Sequence, residues 1–383
     1  MRKHGRFERE KPKTSKKKIG LIIAIVILVL ILAIVIGVVA VYNSMLNQIN
    51  KVDVPTIVYT KPVYDLTDVP ETEGTVADVA EDETTIATEP PHVSSSEDYI
   101  NFLVVGQSAR PGEDSRLADT MILCTVNTYE KTLTLTSFLR DTLLAVGTDF
   151  NGHTIGNIKL TTAYHLGGYY TNGDANDKIA GSMHLINMVL NRNFGVEVDH
   201  NFEVDFDMFI KVIDLLGGVS LELTEAEADY LNSNVTWFDT TFEPGLVHLD
   251  GSTALCYARM RKAVGDSDND IKRTARQRYL IERVINRLRA KSISEVEAIV
   301  KEVLPMVSTS MSNAEITETL VTMLKILPEL KLLTGGTCPV EGTYRGDMVD
   351  IYGDGMYHSV LTDYSVAQQA KLMRAITEGE VAE

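Results

Sequence analysis

Three segments near the middle of the chain decide its fold. They read YINFLVVG at 99–106, ADTMILCTV at 118–126 and TLTLTSFLRD at 132–141. The first two contain the apolar runs typical of buried strands, and the third alternates apolar and polar residues, as a strand with one buried face does. Residues 127–131 suit the turn of a hairpin between the second and third strands.

Outward from this hairpin, helical and strand patterns alternate. Strands are predicted at 202–206 and 219–223, a strand pair within 340–351, and helices at 183–194, 208–216, 271–290, 296–304, 316–327 and 364–377. The mixture predicts an α/β (α+β) fold in which a mixed central β-sheet of five or six strands is flanked by helices.

The N-terminal part has the pattern of a membrane anchor. Residues 1–18 contain nine Lys or Arg against two Glu, and residues 19–42 carry no charge and are rich in Ile, Val and Leu. A helix of this length spans about 36 Å, enough for a bilayer core of about 30 Å. A cleaved signal peptide is the alternative, although its apolar region is usually shorter and ends at a small-residue cleavage site. The basic block predicts a single-pass protein of the cell membrane, with its N-terminus cytoplasmic and the rest extracytoplasmic.

Beyond the anchor, residues 51–98 contain twelve acidic residues and two lysines, together with Pro, Thr and Ser. Such a segment repels itself and extends, so it is interpreted as a stalk. The predicted organisation is a basic tail (1–18), a transmembrane helix (19–42), an acidic extracytoplasmic linker (43–98), a catalytic domain (99–290) and a C-terminal extension that packs on the core (291–383).

Composition excludes several classes of function. The formal net charge of −17 over 383 residues makes the chain a poor general binder of nucleic acid. Its three cysteines are too few and too scattered for a disulfide framework or a CxxC zinc site. The sequence contains no phosphate-binding P-loop, HExxH zinc motif or GxSxG nucleophile elbow.

A set of arginines offers a different site. Arg259 and Arg261 follow a short helical segment, and Arg273 and Gln277 lie at i and i+4 on the apolar face of the helix predicted at 271–290. Arginine is rare on a packed face, so this pair is predicted to point into a cleft. Arg276, one step round the helix, is a further candidate.

The third strand ends at Arg140 and Asp141, where the chain leaves the sheet. Arginine suits a pyrophosphate because its planar guanidinium group binds two phosphate oxygens at once and stays protonated. The alternative is that the arginines coat a surface and pair with nearby acids such as Asp266, Asp268 and Asp270.

Two carboxylates are predicted to meet at one end of the hairpin. Asp119 enters the second strand and Asp141 follows the third, so both belong to the same end. Together they are candidates to hold a hard cation such as Mg²⁺ or to activate a hydroxyl. The alternative for each is a cap or turn residue.

These pieces, taken in order, resemble the LytR-CpsA-Psr family of cell-wall glycopolymer ligases over roughly residues 99–290. The resemblance rests on NFLVVG at 101–106, RLADTM at 116–121, SFLRDT at 137–142, Lys159 with TAY at 162–164, the stretch 202–218, LDG at 249–251, YARMR at 257–261 and 273–277.

The resemblance implies a transferase that moves a phosphoglycan, such as teichoic acid or capsule, from a polyprenyl-pyrophosphate carrier to the N-acetylmuramic acid C6 hydroxyl of peptidoglycan. It implies Mg²⁺ at Asp119 and a hydrophobic cavity for the prenyl chain, in a Gram-positive-type envelope. The implied catalytic residues are Arg140, Asp141, Arg259 and Arg261. The residues implied or predicted around the pyrophosphate are Arg140, Lys159, Arg259, Arg261, Arg273, Arg276 and Gln277.

The sequence departs from the family pattern beside the first strand. Ser108 stands where the family usually has an aspartate, so one expected metal ligand is missing. Either Asp119 holds the ion together with the pyrophosphate and water, or Glu113 or Asp114 substitutes, or the chain binds Mg²⁺ weakly or not at all. The presence of Ser108 supports a second hypothesis, a non-catalytic anchor that binds polyprenyl pyrophosphate or wall glycan. A third hypothesis is a lipid-pyrophosphate hydrolase in which water replaces the sugar hydroxyl.

Overall fold

The computed structural model of the chain describes residues 46–56, 95–107, 117–148, 152–261 and 269–379. The predicted basic tail and transmembrane helix lie outside the described residues. In the part of the chain that is described, no helix combines the length and apolarity needed to cross a bilayer.

The strands of the described residues are β1 (Asn50–Lys51), β2 (Tyr99–Gln107), β3 (Ala118–Asn127), β4 (Thr132–Phe138), β5 (Leu143–Thr148), β6 (Thr154–Lys159), β7 (His200–Val204), β8 (Val219–Leu223), β9 (Gly245–Leu249), β10 (Ser308–Thr309), β11 (Lys331–Cys338), β12 (Arg345–Val349) and β13 (His358–Thr362). The α-helices are α1 (Leu160–Tyr169), α2 (Ala175–Phe194), α3 (Phe206–Leu215), α4 (Glu225–Asn234), α5 (Gly251–Arg259), α6 (Asn269–Arg289), α7 (Ile293–Val303), α8 (Asn313–Ile326) and α9 (Val366–Thr377).

The main sheet has the strand order β1-β10-β7-β2-β3-β4-β11. Strands β2, β3 and β4 are successively antiparallel, whereas β7 pairs with β2 and β11 pairs with β4 in parallel. The mixed sheet and its β3–β4 hairpin are therefore as the sequence predicted, but within the described ranges the sheet has seven strands instead of five or six. Three two-stranded sheets, β5–β6, β8–β9 and β12–β13, accompany it in the described residues.

Alternating side chains bury both faces of this sheet. Leu103 and Leu123 face one side, in a core shared with α1, α2 and α9, and Phe102 and Ile122 face the other side, with α6 and α8. Each fully buried side chain of this size contributes about 1.5–3 kcal/mol to folding. The result is a sheet with helices on both faces.

A further core lies between the β8–β9 hairpin and helices α4, α5 and α6. Leu221, Leu231, Tyr257 and Leu280 are buried there. This packing fixes the end of α5 against α6, two elements that both carry candidate site residues.

The C-terminal extension contributes strands to the main sheet instead of only packing on it. β11 pairs with β4, and β10 lies between β7 and β1, which belongs to the predicted linker. The predicted boundary at residue 290 therefore does not coincide with a boundary of the sheet. β11 was not predicted because Gly335 and Gly336 interrupt its apolar pattern, and the strand pair predicted within 340–351 is instead β12 with the later β13.

We expect Gly335→Val to destabilise the fold, because even a Cβ atom at this position would lie 1.9 Å from Oγ1 of Thr136. Overpacking of this kind costs about 1–3 kcal/mol in the free energy of unfolding. Gly346→Val is the matched control, since a Cβ atom there meets nothing within 4 Å. Denaturant unfolding followed by circular dichroism measures both, and equal stability of the two variants would contradict the role of β11 in the sheet.

Candidate functional site

One end of the β3–β4 hairpin carries a group of charged side chains. Asp119 is the second residue of β3, and Arg140 and Asp141 come shortly after the last residue of β4. Because the strands are antiparallel, these positions meet, and Nη1 of Arg140 donates to Oδ1 of Asp119. Asp119 and Asp141 therefore lie at the same end of the hairpin, as the antiparallel pairing predicted.

The start of helix α1 fixes the turn that holds Arg140. The backbone N–H of Thr161 donates to the carbonyl oxygen of Arg140 at 2.9 Å, and that of Leu160 donates to Thr142 at 2.9 Å. Lys159, immediately before the helix, donates from Nζ to Oδ1 of Asp141 at 3.0 Å. Lys159 is thus brought to the site by the helix that follows it.

The first turns of helix α6 lie against the same end of the hairpin. Arg273 is only 2% exposed, and its Nη2 lies 2.5 Å from Oδ1 of Asp270 and donates to the backbone oxygen of Asp119 at 3.3 Å. Gln277 donates from Nε2 to Oγ1 of Thr120 at 2.9 Å. The predicted arginine–glutamine pair therefore does reach the site from one face of α6.

Arg259 and Arg261 lie close in sequence but point to different places. Helix α5 ends at Arg259, whose guanidinium carbon lies 4.6 Å from the centre of the Phe206 ring on an exposed surface. Met260 is buried, and after it Arg261 places Nη2 3.5 Å from Oδ1 of Asp119. The structure brings Arg261 to the site, whereas the contact described for Arg259 is with Phe206.

Arg276 is directed into the packing between helices. It is buried, and it donates from Nε to Oε1 of Glu227 at 2.7 Å and from Nη1 to the carbonyl oxygen of Met260 at 3.1 Å. Arg276 is one residue before Gln277, and one residue step turns a helix by about 100°, so its side chain points away from the face that carries Gln277. Arg276 holds the residue before Arg261 in place and is a positioning residue by geometry.

The charges of the site nearly balance. We define the cationic cluster as Arg140, Lys159, Arg261 and Arg273, and the carboxylates paired with it are Asp119, Asp141 and Asp270. Burial raises the pKa of Asp270, an effect that Arg273 and Arg140 oppose. Burial also lowers the pKa of Arg273, although a guanidinium stays charged at neutral pH. Asp270 therefore takes up a proton more readily than an ordinary aspartate.

Several polar atoms of the site lack a hydrogen-bond partner among the described residues. They are Nε of Arg273, Oδ2 of Asp270 and Oε1 of Gln277, all of them buried. Unpaired buried polar atoms are rare in folded proteins and are found at sites that a ligand or water completes. Their concentration around Asp119 is consistent with a polar ligand at this position.

The described residues supply only part of a magnesium site. Asp119 offers a carboxylate, but Arg140 and Arg261 both pair with it. Within the described residues, no group of three or more His, Cys, Asp or Glu side chains is arranged to hold a metal ion. Ser108, Glu113 and Asp114 lie outside the described residues, so the proposed ligand substitution stays a prediction. These residues alone do not form a complete site, and we derive no reaction step through a metal ion.

Sequence reasoning did not identify two further features near the site. Asp270 was considered only as a surface partner, yet its i, i+3 spacing to Arg273 in one helix was a usable signal. The second feature is Glu203, a buried residue of β7. Its carboxylate accepts a hydrogen bond from the Tyr164 hydroxyl and another, 3.3 Å long, from Nε2 of Gln107. These partners are distant in sequence, so no local pattern reveals the contact.

The fold and site together define a class of protein, namely a mixed α/β domain with an arginine cluster at the end of a sheet hairpin. A sequence profile of the LytR_cpsA_psr family matches residues 70–353. The chain belongs to this family, as its motifs predicted.

Similar proteins agree with this assignment. The chain is 31% identical to the polyisoprenyl-teichoic acid–peptidoglycan teichoic acid transferase TagU of Halalkalibacterium halodurans, over 55% of this chain and 60% of that protein. It is 29% identical to the corresponding transferase TagV of Bacillus subtilis, over 57% of this chain and 50% of that protein. The chain thus spans half to three fifths of these relatives. The crystal structure of B. subtilis TagT superimposes with a TM-score of 0.52 at 20% identity, covering 76% of this chain and 95% of that one, which shows a shared fold.

We expect Asp270→Asn to bind inorganic pyrophosphate about three- to tenfold more tightly than the wild type at neutral pH, because one competing charge is removed from Arg273. As the pH falls through the raised pKa of Asp270, the wild-type carboxylate becomes neutral and the affinity ratio of variant to wild type should approach one. Calorimetric titration across pH measures this affinity ratio. Protonation of pyrophosphate affects the variant and the wild type equally, so it does not change the ratio. Asp354→Asn, an exposed aspartate, is the control. A ratio that does not change with pH would contradict the role of Asp270.

Proposed function

We propose that the chain is a membrane-anchored extracytoplasmic phosphotransferase. It moves a phosphoglycan from a polyprenyl-pyrophosphate carrier to peptidoglycan and forms a phosphodiester at the C6 hydroxyl of N-acetylmuramic acid. One observation carries this proposal: Arg140, Arg261 and Arg273, distant along the chain, converge on Asp119.

The chemistry of the cluster suits a pyrophosphate. Guanidinium groups bind phosphate oxygens through paired N–H donors and remain charged. Phosphoryl transfer depends mainly on alignment and on neutralising charge at the transferred phosphorus and the leaving oxygen, and it needs little covalent chemistry from the protein. In the proposed complex the pyrophosphate oxygens compete with Asp119 for Arg140 and Arg261, while buried Arg273 keeps its position through Asp270.

The proposed reaction is a single displacement. The acceptor C6 oxygen forms a bond to the glycan-linked phosphorus, and the bond between that phosphorus and the bridging oxygen breaks. Polyprenyl phosphate leaves with the bridging oxygen, and the hydroxyl proton passes to Asp119 or Asp141. Lys159 donates to that Asp141 carboxylate at 3.0 Å and so holds it in place.

The family and the names of its members support the proposal. The relatives from H. halodurans and B. subtilis are named as transferases that join teichoic acid from a polyisoprenyl carrier to peptidoglycan. We extend this activity class to the present chain because the sequence motifs and the arginine cluster coincide. The hydrophobic cavity for the prenyl chain is part of the same proposal.

The proposed location follows from the sequence of residues 1–42. An uncleaved helix at 19–42 with basic residues on its cytoplasmic side holds the domain outside the membrane that contains the lipid-linked donor. The acidic segment after it gives the domain reach toward the wall.

We expect Arg140→Ala and Arg261→Ala to lower the transfer rate by about 100-fold or more, the scale seen when a preorganised charge donor is removed. A labelled lipid-linked glycan with a muramyl acceptor measures transfer, and circular dichroism checks the fold. Arg283→Ala is the matched control, because Arg283 lies on α6 but pairs with Glu282 and stacks on Tyr279. The same assay on Arg259→Ala tests whether the guanidinium beside Phe206 contacts the donor.

The products of this assay separate the three hypotheses. Transfer to the muramyl acceptor supports the phosphotransferase, retention of the donor without turnover supports a binding anchor, and release of free phosphorylated glycan supports a hydrolase. Full activity of both Arg140→Ala and Arg261→Ala would refute the site.

A magnesium ion at Asp119 also remains a proposal, in which the pyrophosphate supplies further oxygen ligands. We expect Asp119→Asn to weaken Mg²⁺ binding about tenfold or more in the presence of inorganic pyrophosphate, because a neutral amide replaces the charged ligand. Calorimetry with Mg²⁺ measures this, and Asp354→Asn serves as control. An unchanged titration would exclude Asp119 from the metal shell.

A further inference from the structure

The β12–β13 hairpin is an exposed feature that the proposed reaction does not use. Strands β12 and β13 pair antiparallel from Arg345 with Thr362 to Val349 with His358. The connection between them, residues 350–357, lies at the surface and includes Tyr352 and Tyr357. The hairpin belongs to the C-terminal segment.

The base of this hairpin is attached to the turn that forms the site. The backbone N–H of Leu361 donates to the carbonyl oxygen of Asp141 at 2.9 Å, and Thr142 forms a parallel bridge with Leu361. Just beyond β13, the Tyr364 hydroxyl donates to the carbonyl oxygen of Leu143 at 2.6 Å. The hairpin is therefore attached through Leu361 to the residue after Arg140, and Tyr357, four residues before Leu361, lies up to about 13 Å along the chain from this attachment.

The connection presents large rings and thioethers to solvent. Tyr352 is 49% exposed and Tyr357 is 64% exposed, and Met348 and Met356 are each 61% exposed. Isolated exposed apolar residues are ordinary, but a group of them on one small hairpin is typical of a binding surface. Tyrosine in particular offers an apolar ring face and a polar hydroxyl together, and so suits a ligand with both apolar and polar groups.

The connection is ordered by its own hydrogen bonds. Asp350 accepts from the backbone N–H groups of Asp354 at 3.2 Å and Gly355 at 3.0 Å. The Tyr352 ring stands edge-on to His358, with ring centres 5.1 Å apart. A surface that is already ordered loses less conformational entropy when it binds.

The charge of the hairpin selects among possible occupants. Residues 345–363 contain four aspartates and one arginine. Arg345 pairs with Asp347 and Asp363, each at 3.0 Å, but its single charge offsets only one of the four aspartates, so the hairpin keeps a formal charge of −3. This field repels a polyanionic phosphoglycan and the anionic surface of a membrane. A glycan without phosphate is the occupant that both the ring faces and the charge accept, because the C–H faces of its sugars stack on aromatic rings.

We infer that the β12–β13 hairpin is a docking surface for the acceptor, an N-acetylhexosamine glycan strand of peptidoglycan, which stacks on Tyr352 and Tyr357. The inference rests on the proposed function and adds to it the direction from which the acceptor approaches. The donor pyrophosphate occupies the cationic cluster, and the acceptor lies along the hairpin attached at Asp141. The hydroxyl oxygen thus reaches the phosphorus from the side of Asp141.

The test measures binding of the full chain in detergent micelles to an uncharged N-acetylglucosamine oligomer, because peptidoglycan strands freed of peptides would carry an anionic lactyl carboxylate on each muramic acid. We expect Tyr352→Ala with Tyr357→Ala to weaken this binding about tenfold or more, as the loss of central aromatic contacts does. The matched control is Tyr129→Ala, a tyrosine of similar exposure (45%) in the β3–β4 turn, at the opposite end of that hairpin from Asp119. A thermal unfolding curve confirms that each variant is folded.

Two further measurements separate this inference from the proposed function. Binding of farnesyl pyrophosphate reports on the cationic cluster, and we expect it to be unchanged in the double tyrosine variant. Equal glycan affinity in the double variant and in Tyr129→Ala would overturn the docking surface while leaving the proposed function intact. Wild-type chain that binds glycan but not farnesyl pyrophosphate would instead overturn the proposed function. If the double tyrosine variant instead loses binding to phosphatidylglycerol vesicles and keeps its glycan affinity, the hairpin is a lipid contact and the inference is also overturned.

Discussion

The site depends on Asp119, which holds three guanidinium groups at one position. Two like charges 4 Å apart repel by about 4 kcal/mol at the effective dielectric constant near a protein surface, so Arg140, Arg261 and Arg273 require a compensating anion. Asp119 supplies it through its carboxylate for Arg140 and Arg261, whereas Arg273 donates to the backbone oxygen of Asp119 and has its charge balanced by Asp270. A pyrophosphate is a larger anion of the same sign, and it can take over the partners that Asp119 holds. The site is therefore preorganised for the ligand class we propose.

Helix α6 connects this charge arrangement to the core. Ile281 and Ile285 pack on the sheet, and Leu280 packs in the core beneath the β8–β9 hairpin. These contacts determine the rotation of the helix about its axis, and the rotation in turn directs Arg273 and Gln277 to the hairpin. Packing and binding are thus coupled, because the apolar face cannot turn without moving the buried arginine.

The C-terminal segment has a more direct relation to the site than its sequence suggests. β11 lies beside β4, the strand that leads to Arg140, and the β12–β13 hairpin is attached at Asp141. Both strands of the hairpin come from residues that lie far along the chain from the sequence motifs of the site.

The sequence alone determined the hairpin, the mixed sheet and the family, because strand periodicity and ordered motifs are local signals. It also placed Asp119 and Arg140 at one end of the hairpin, since antiparallel pairing requires this. Only the tertiary structure decided which arginines converge. Arg261 reaches Asp119 while Arg259 lies over Phe206, and Arg273 reaches it while Arg276 pairs with Glu227. The physical reason is that a side chain's direction depends on where its helix ends and how that helix is rotated by distant packing partners, and neither is encoded in the spacing of the arginines themselves.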